Sequence, residues 1–306
     1  MGKKKQKKPI SVIDIPTINT LLLSGAGAKC IAYIGVLKKL QELHIESKIK
    51  VDITEICSVS AGSIIGLLYI LGYTVEELTT EIMLKNFDQL RDIKYTNFFT
   101  YYGIDSGKNI TSWLETFIIK KGHVQNISFK ELYDKKNIHF KILATNLHKY
   151  KYTIFDYINT PDLSIIKAIR YSTSIPFYFH IERYLDEIHV DGAVIDNYPI
   201  KLYHNNLKNL LGIKTINYGE LPHHVVDYKI NSLDSFIYNI IYCFIIQKEK
   251  NTSNHEEYKK HTIYIYTNEK KAINFNLTND EKNQMIDIGY IACDEHFTTI
   301  SSSKIS

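Results

Sequence analysis

The chain has 306 residues, 44% of them hydrophobic, and carries 37 Lys and Arg against 33 Asp and Glu for a net charge of +4. That length and apolar content exclude a disordered chain and supply enough material for a sizeable core. The mild charge, much of it from Lys3, Lys4, Lys5, Lys7 and Lys8, excludes a globally basic nucleic-acid-binding surface, so no nucleic-acid partner is expected.

Residues 1–18 read as a basic, solvated tail. Gly2 invites a myristoylation reading, but Gln6 stands where that signal has Ser or Thr. A secretory signal is interrupted by Asp14, Pro16 and Asn19 ahead of Leu21-Leu22-Leu23. Asn19 to Ser24 then predicts a strand and Ser24-Gly25-Ala26-Gly27-Ala28-Lys29 a small-residue loop. Ala28, Ile31, Ala32, Gly35, Val36, Leu40 and Leu43 recur at helical spacing. Ile53 to Cys57 predicts a second strand, and a turn at Ser60 feeds an all-round apolar, hence buried, helix that stops at Gly72.

Thr74-Val75-Glu76-Glu77 has the form of a capped helix start, and residues 86–107 read as an irregular surface excursion. Helices are expected near 109–120, from Ser128 and over 164–171. Strands are expected over 138–145, 177–181, 187–190 and 210–215, with 152–156 pairing beside the first. Leu233, Phe236, Ile237, Ile240, Ile241, Phe244 and Ile245 form a helical stripe read as core packing. A strand at 262–267 and a helix at 279–299 close the chain. Alternating strands and helices with no Gly/Ser/Pro-rich linker predict an α/β fold with a mostly parallel sheet, in one domain over 19–306. Cys30, Cys57, Cys243 and Cys293 are scattered without paired spacing, which fits reduced thiols in a cytoplasmic setting; no run is long enough to span a membrane.

Two loops carry chemistry. Ser58-Val59-Ser60-Ala61-Gly62 matches the G-x-S-x-G turn, which mounts a nucleophilic serine between strand and helix, except that Ser58 replaces the first glycine. The Gly25 loop precedes a helix N-terminus and presents backbone N–H groups to an anion. It fails the P-loop pattern, and Cys30 stands where the dinucleotide pattern needs its third glycine, so an oxyanion site fits better than a nucleotide. Asp191-Gly192-Ala193 ends a predicted strand, where sheet enzymes place catalytic groups.

With Ala144-Thr145-Asn146-Leu147, Ser172-Thr173-Ser174-Ile175-Pro176, Asn197-Tyr198-Pro199 and Gly103-Ile104-Asp105-Ser106-Gly107, these pieces occur in an order over residues 19–215 that resembles the patatin-like phospholipase family. The resemblance implies a three-layer α/β/α sandwich in which residues 216–306 complete the domain. It makes Ser60 the nucleophile and Asp191 its base in a dyad without histidine, and Gly25, Ala26, Gly27 and Ala28 the oxyanion loop. Ser58 and Gly62 would shape the elbow, and Lys29 would contact an anionic centre or lipid phosphate unless it is a solvated lysine at a helix start. The implied activity is phospholipase A-type hydrolysis of fatty-acyl esters through an acyl-enzyme, with no cofactor and no metal, on phospholipid or another acyl lipid at a membrane surface. Peripheral membrane association is compatible with the basic tail and the Tyr-rich helix.

Three residues depart from the family pattern: Ala26 and Cys30 in the loop and Ser58 in the elbow. A positive φ at Ala26 would strain the site, and the alternative is a catalytically silent, lipid-binding protein of the same fold. A conventional triad would draw its histidine from His204, His223, His261 or His296, a reading the resemblance opposes. The other histidines lack zinc-like spacing.

Overall fold

The computed structural model describes residues 15–217, 233–250, 255–267 and 276–303. The lysine cluster at 3–8 and the pair His223 and His224 lie outside the described residues. β1 (Thr17–Leu23) passes through a 3-10 turn at Gly27–Ile31 into α1 (Ala32–Ile45), and β2 (Lys50–Val59) turns at Ser60 into α2 (Gly62–Leu71). There follow α3 (Val75–Leu84), α4 (Phe98–Tyr101), β3 (Gly103–Asp105), α5 (Lys108–Lys120), α6 (Phe129–Lys136), β4 (His139–Asn146), β5 (Lys151–Phe155) and α7 (Ile165–Ser172). The chain continues through β6 (Phe177–Phe179), β7 (Glu182–Tyr184), β8 (Glu187–Asp191), α8 (Ala193–Asp196) and β9 (Leu210–Asn217). It closes with α9 (Leu233–Lys250), α10 (Glu256–Lys259), β10 (Thr262–Thr267) and α11 (Asn279–Ser303).

Local chemistry sets the boundaries. α3 starts on a capping box between Thr74 and Glu77, and α6 on one between Ser128 and Glu131, each satisfying N–H groups that a helix start leaves open. α2 ends at Gly72, whose φ of +84° is the left-handed stop that glycine adopts without a Cβ clash.

The main sheet has 8 strands in the spatial order β10-β9-β1-β2-β4-β8-β7, with β5 on the far edge of β4. β10, β9, β1, β2 and β4 pair in parallel, while β5 and β8 run antiparallel to β4. Side chains alternate across it: Leu21, Leu23, Ile56, Ile142 and Ala144 enter one apolar cluster, and Leu22, Cys57, Val59 and Leu143 another. α1, α2, α7 and α11 contribute to the first cluster, whereas Ala193 of α8, Ile200, Tyr203 and Tyr258 of α10 cover the second. Burial on both faces is what a parallel sheet requires, and it produces the α/β/α sandwich.

Two expectations need correction. The segment 86–107 is not merely a surface excursion: Gly103, Ile104 and Asp105 are buried, and β3 pairs with β6 as a separate two-stranded ribbon. The α9 stripe is not all core. Ile237 is buried and Ile245 packs on the second cluster, but Leu233, Phe236, Ile240 and Phe244 are exposed, because α9 is apolar around most of its circumference and only one side meets the domain. The side chains of Tyr238 and Tyr242 lie outside the described residues. Among the described residues no helix is long and apolar enough to cross a membrane.

Candidate active site

The pairing around β4 brings two distant chain segments together. β5 lines one edge of β4 from Ile142 to Asn146, so β2 and β8 must share the other edge. β2 stops where Val59 faces Leu143, and β8, running the other way, ends where Asp191 faces Ala144, one residue further along. The residue after Val59 is therefore held against the end of β8. There Ser60 Oγ donates to Asp191 Oδ2 at 2.6 Å.

Ser60 has a φ of +51°, left-handed backbone that costs a residue with a Cβ roughly 1–2 kcal/mol. Several bonds hold it there. Its N–H donates to Ser172 Oγ at 2.8 Å, Ser172 Oγ donates onward to the Leu143 carbonyl at 2.6 Å, and Ser63 Oγ donates to the Ser60 carbonyl. Gly62 lets α2 approach β1: a Cβ there would lie 2.6 Å from the Ser24 carbonyl oxygen. Ser58 is buried in β2, its hydroxyl donating to the Lys141 carbonyl at 3.2 Å, and its φ is not left-handed. The first glycine of the pattern is thus not needed for its conformational freedom.

The Ser172 loop grips the other half as well. The Ser174 carbonyl accepts from Asp191 N–H at 2.8 Å, and the Ser172 carbonyl accepts from Gly192 N–H at 3.3 Å. Arg170, itself buried, donates to Ser174 Oγ at 2.8 Å and to the Ser106 carbonyl at 3.2 Å. Asp191 Oδ1 accepts from Ala193 N–H at 2.9 Å, leaving Oδ2 to Ser60. Burial lifts the carboxyl to a pKa of about 6, against the opposing pull of the Ser60 and Ala193 hydrogen bonds. A carboxylate with that proton affinity is a better base near neutral pH than an ordinary aspartate.

The small-residue loop lies opposite. A Cβ on Gly25 would sit 2.3 Å from Asn197 Oδ1 and 3.0 Å from Ser60 Cβ, so only glycine fits. Its N–H donates to the Asn197 carbonyl at 3.3 Å, and Asn197 Nδ2 donates back to the Gly25 carbonyl at 3.1 Å. Gly25 therefore braces the loop, and its N–H is already committed: as an oxyanion donor it is set aside. Ala26 has a φ of −141°, outside the left-handed region that would clash with its Cβ, and the positive φ of +54° falls on Gly27. Gly27 and Ala28 open the 3-10 turn, where N–H groups have no acceptor within the helix, and both line a cavity with Ser60.

That cavity, about 100 Å³, runs from Ser60, Thr173 and Cys30 between apolar walls. Ile64, Ile65 and Leu68 of α2 form one side, and Phe87, Leu90, Ile110 and Trp113 another. Lys29 is not among its lining residues, and at 4% exposed it is buried, which overturns the solvated-lysine reading. Among the described residues no histidine lines the cavity, and Ser60 Oγ is bonded to Asp191. His204 instead meets the Tyr258 hydroxyl at 3.1 Å, and His261 and His296 line a separate groove with α11. Of the triad candidates only His223 lies outside the described residues. Sequence reasoning marks the runs that contain Ser172 and Asn197 but not the bracing these residues provide, and it gives Arg170 only a place in a helix. It also misses the cavity walls: Ile64, Ile65, Leu68, Ile110 and Trp113 read simply as helix, and Phe87 and Leu90 as part of a surface excursion.

Comparison with known proteins agrees with this architecture. Residues 21–203 match the family model described as patatin-like phospholipase. An uncharacterised protein of Acanthamoeba polyphaga mimivirus is 31% identical over 206 residues, which is 66% of this chain and 67% of that protein. A probable lipid hydrolase of Invertebrate iridescent virus 6 is 33% identical over 195 residues, 61% of this chain and 64% of that protein. The crystal structure of VipD from Legionella pneumophila shares the fold with a TM-score of 0.58 at 17% identity, covering 93% of this chain and 67% of VipD.

Proposed function

Since the chain belongs to the patatin-like phospholipase family and is a hydrolase, we propose that it is a lipid acyl hydrolase of phospholipase A type, acting through a Ser60–Asp191 dyad. The observation that carries this reading is the 2.6 Å bond from Ser60 Oγ to Asp191 Oδ2, on a left-handed turn at one end of an apolar cavity. Asp191 takes the Ser60 proton as Oγ attacks the ester carbonyl carbon. The carbonyl oxygen becomes an oxyanion facing the N–H groups of Gly27 and Ala28 and the positive end of α2. Collapse of the tetrahedral intermediate breaks the bond to the glycerol oxygen, which receives the proton from Asp191. Water, deprotonated by the same carboxylate, then attacks the acyl-Ser60 ester; the bond to Ser60 Oγ breaks, Oγ takes the proton back from Asp191, and the fatty acid is freed.

The walls formed by Ile64, Leu68, Leu90 and Trp113 suit an acyl chain, and phospholipid is the proposed source of it. Ala26 and Ser58 adopt backbone open to residues with a Cβ, which supports the enzyme over a silent relative. The test is labelling by a fluorophosphonate ester and hydrolysis of a panel of phospholipids, galactolipids and neutral glycerides, with products read by mass spectrometry. Wild-type chain labels and releases fatty acid, while Ser60→Ala and Asp191→Asn do neither. A folded wild-type chain that neither labels nor hydrolyses any ester sinks the proposal.

A further inference from the structure

The cavity's outer wall carries rings into solvent. Ile110, Ile175 and Phe179 line the cavity and belong to one apolar cluster with Ile104, Tyr178 and Phe98. On the other side of that cluster Phe98 meets the rings of Phe99 and Phe177, with centroids 5.4 and 6.3 Å away. Phe99 is 87% exposed, Tyr102 57% and Phe177 50%. Tyr102 and Phe177 both hold left-handed backbone, φ +54° and +63°, and they lie side by side because Gly103, next to Tyr102, pairs with Phe177. Bulky residues rarely adopt that conformation, and here neither ring gains burial from it. α9 lies against α8 and β6, the strand that begins at Phe177, and its Phe236, Ile240 and Phe244 are exposed as well.

We propose that this surface, built from Phe99, Tyr102 and Phe177 with Phe236, Ile240 and Phe244 of α9, inserts into a neutral phospholipid bilayer and so seats the Ser60 cavity on its substrate. The inference rests on the lipid-hydrolase reading above. The occupant follows from continuity: the exposed rings and the cavity share one apolar cluster, so a layer that covers the rings lies directly behind the wall of the acyl-chain cavity. A bilayer is the only reservoir that both solvates such rings and delivers an insoluble ester to the cavity behind them. Tyr102 suits the polar–apolar boundary, and the phenylalanines suit the depth below it. Insertion of this kind rests on apolar area, so it persists when salt screens charge.

The full-length chain is tested by flotation with phosphatidylcholine vesicles. Wild type and Ser60→Ala bind, and binding survives about 0.5 M salt, where the Debye length is only a few ångströms. The combination Phe99→Ser, Phe177→Asn and Phe244→Ser lowers partitioning on the order of ten-fold or more, from the apolar area withdrawn. Asn tolerates left-handed backbone, so the melting temperature holds, and turnover of a dissolved short-chain ester is unchanged. Vesicle binding equal to wild type in that variant overturns the proposal. So does binding that needs anionic lipid and disappears with salt, which would assign it to the lysine tail. A wild-type dimer that the same substitutions convert to monomer also overturns it, since the rings would then join copies of the chain. Salt-resistant, ring-dependent binding in a chain that hydrolyses no ester supports the surface and refutes the hydrolase reading instead.

Discussion

Asp191→Asn is expected to abolish activity and to stabilise the fold. Asp191 is 3% exposed, and burial lifts its carboxyl from an ordinary 3.8 to about 6. That difference corresponds to about 3 kcal/mol by which the ionised carboxylate disfavours the folded state. Because the folded pKa is the raised one, the penalty is complete above pH 6. It shrinks as the folded carboxyl takes up a proton between about 6 and 3.8, and it is gone below that range. Asn removes the charge while its carbonyl can still accept from Ala193 N–H and its amide can donate to Ser60 Oγ, reversing that bond. The assay is thermal or denaturant unfolding of both proteins from pH 4 to 8. At pH 8 the variant should melt higher by about 5 °C or more, and the two curves should converge near pH 4. A variant less stable than wild type at pH 8, or a gap that does not change with pH, would refute burial as the cause of the raised proton affinity.

In the wild type, kcat/KM on a soluble ester should fall about tenfold per pH unit below about 6, as the base protonates; a profile flat down to pH 4.5 would remove Asp191 from that role. Ser60→Gly and Ser60→Ala should both be inactive, but Gly should be the more stable by about 1 kcal/mol because only Ala retains the left-handed clash, as read by chemical denaturation. Ala26→Gly should leave kcat within about twofold and lower stability by about 0.5–1 kcal/mol, whereas Gly25→Ala should cut kcat by more than about tenfold through contact with Asn197 and Ser60. Ser172→Ala strips Ser60 N–H of its acceptor, for a loss of about 1–3 kcal/mol in stability together with a lower kcat; an unchanged kcat would deny Ser172 a positioning role.

Local sequence sets most of the elements and the chemistry-bearing residue types. Hydrophobic period located β1, β2, β4, β9 and their helices, turn and cap residues placed α3 and α6, and small-residue motifs marked Ser60, the Gly25 loop and Asp191. These signals are local, carried by neighbours along the chain. What depends on partners far away in sequence follows only from packing. That Ser60 and Asp191 meet follows from β2 and β8 sharing one edge of β4, and the same register lets Ser172 bond the turn. Whether Ala26 suits the loop depended on which residue takes the positive φ, and it is Gly27. Gly25 proved a brace because Asn197, in another loop, claims its N–H. The α9 stripe shows the same division: periodicity says which residues share a helix face, but only packing says whether another element covers it.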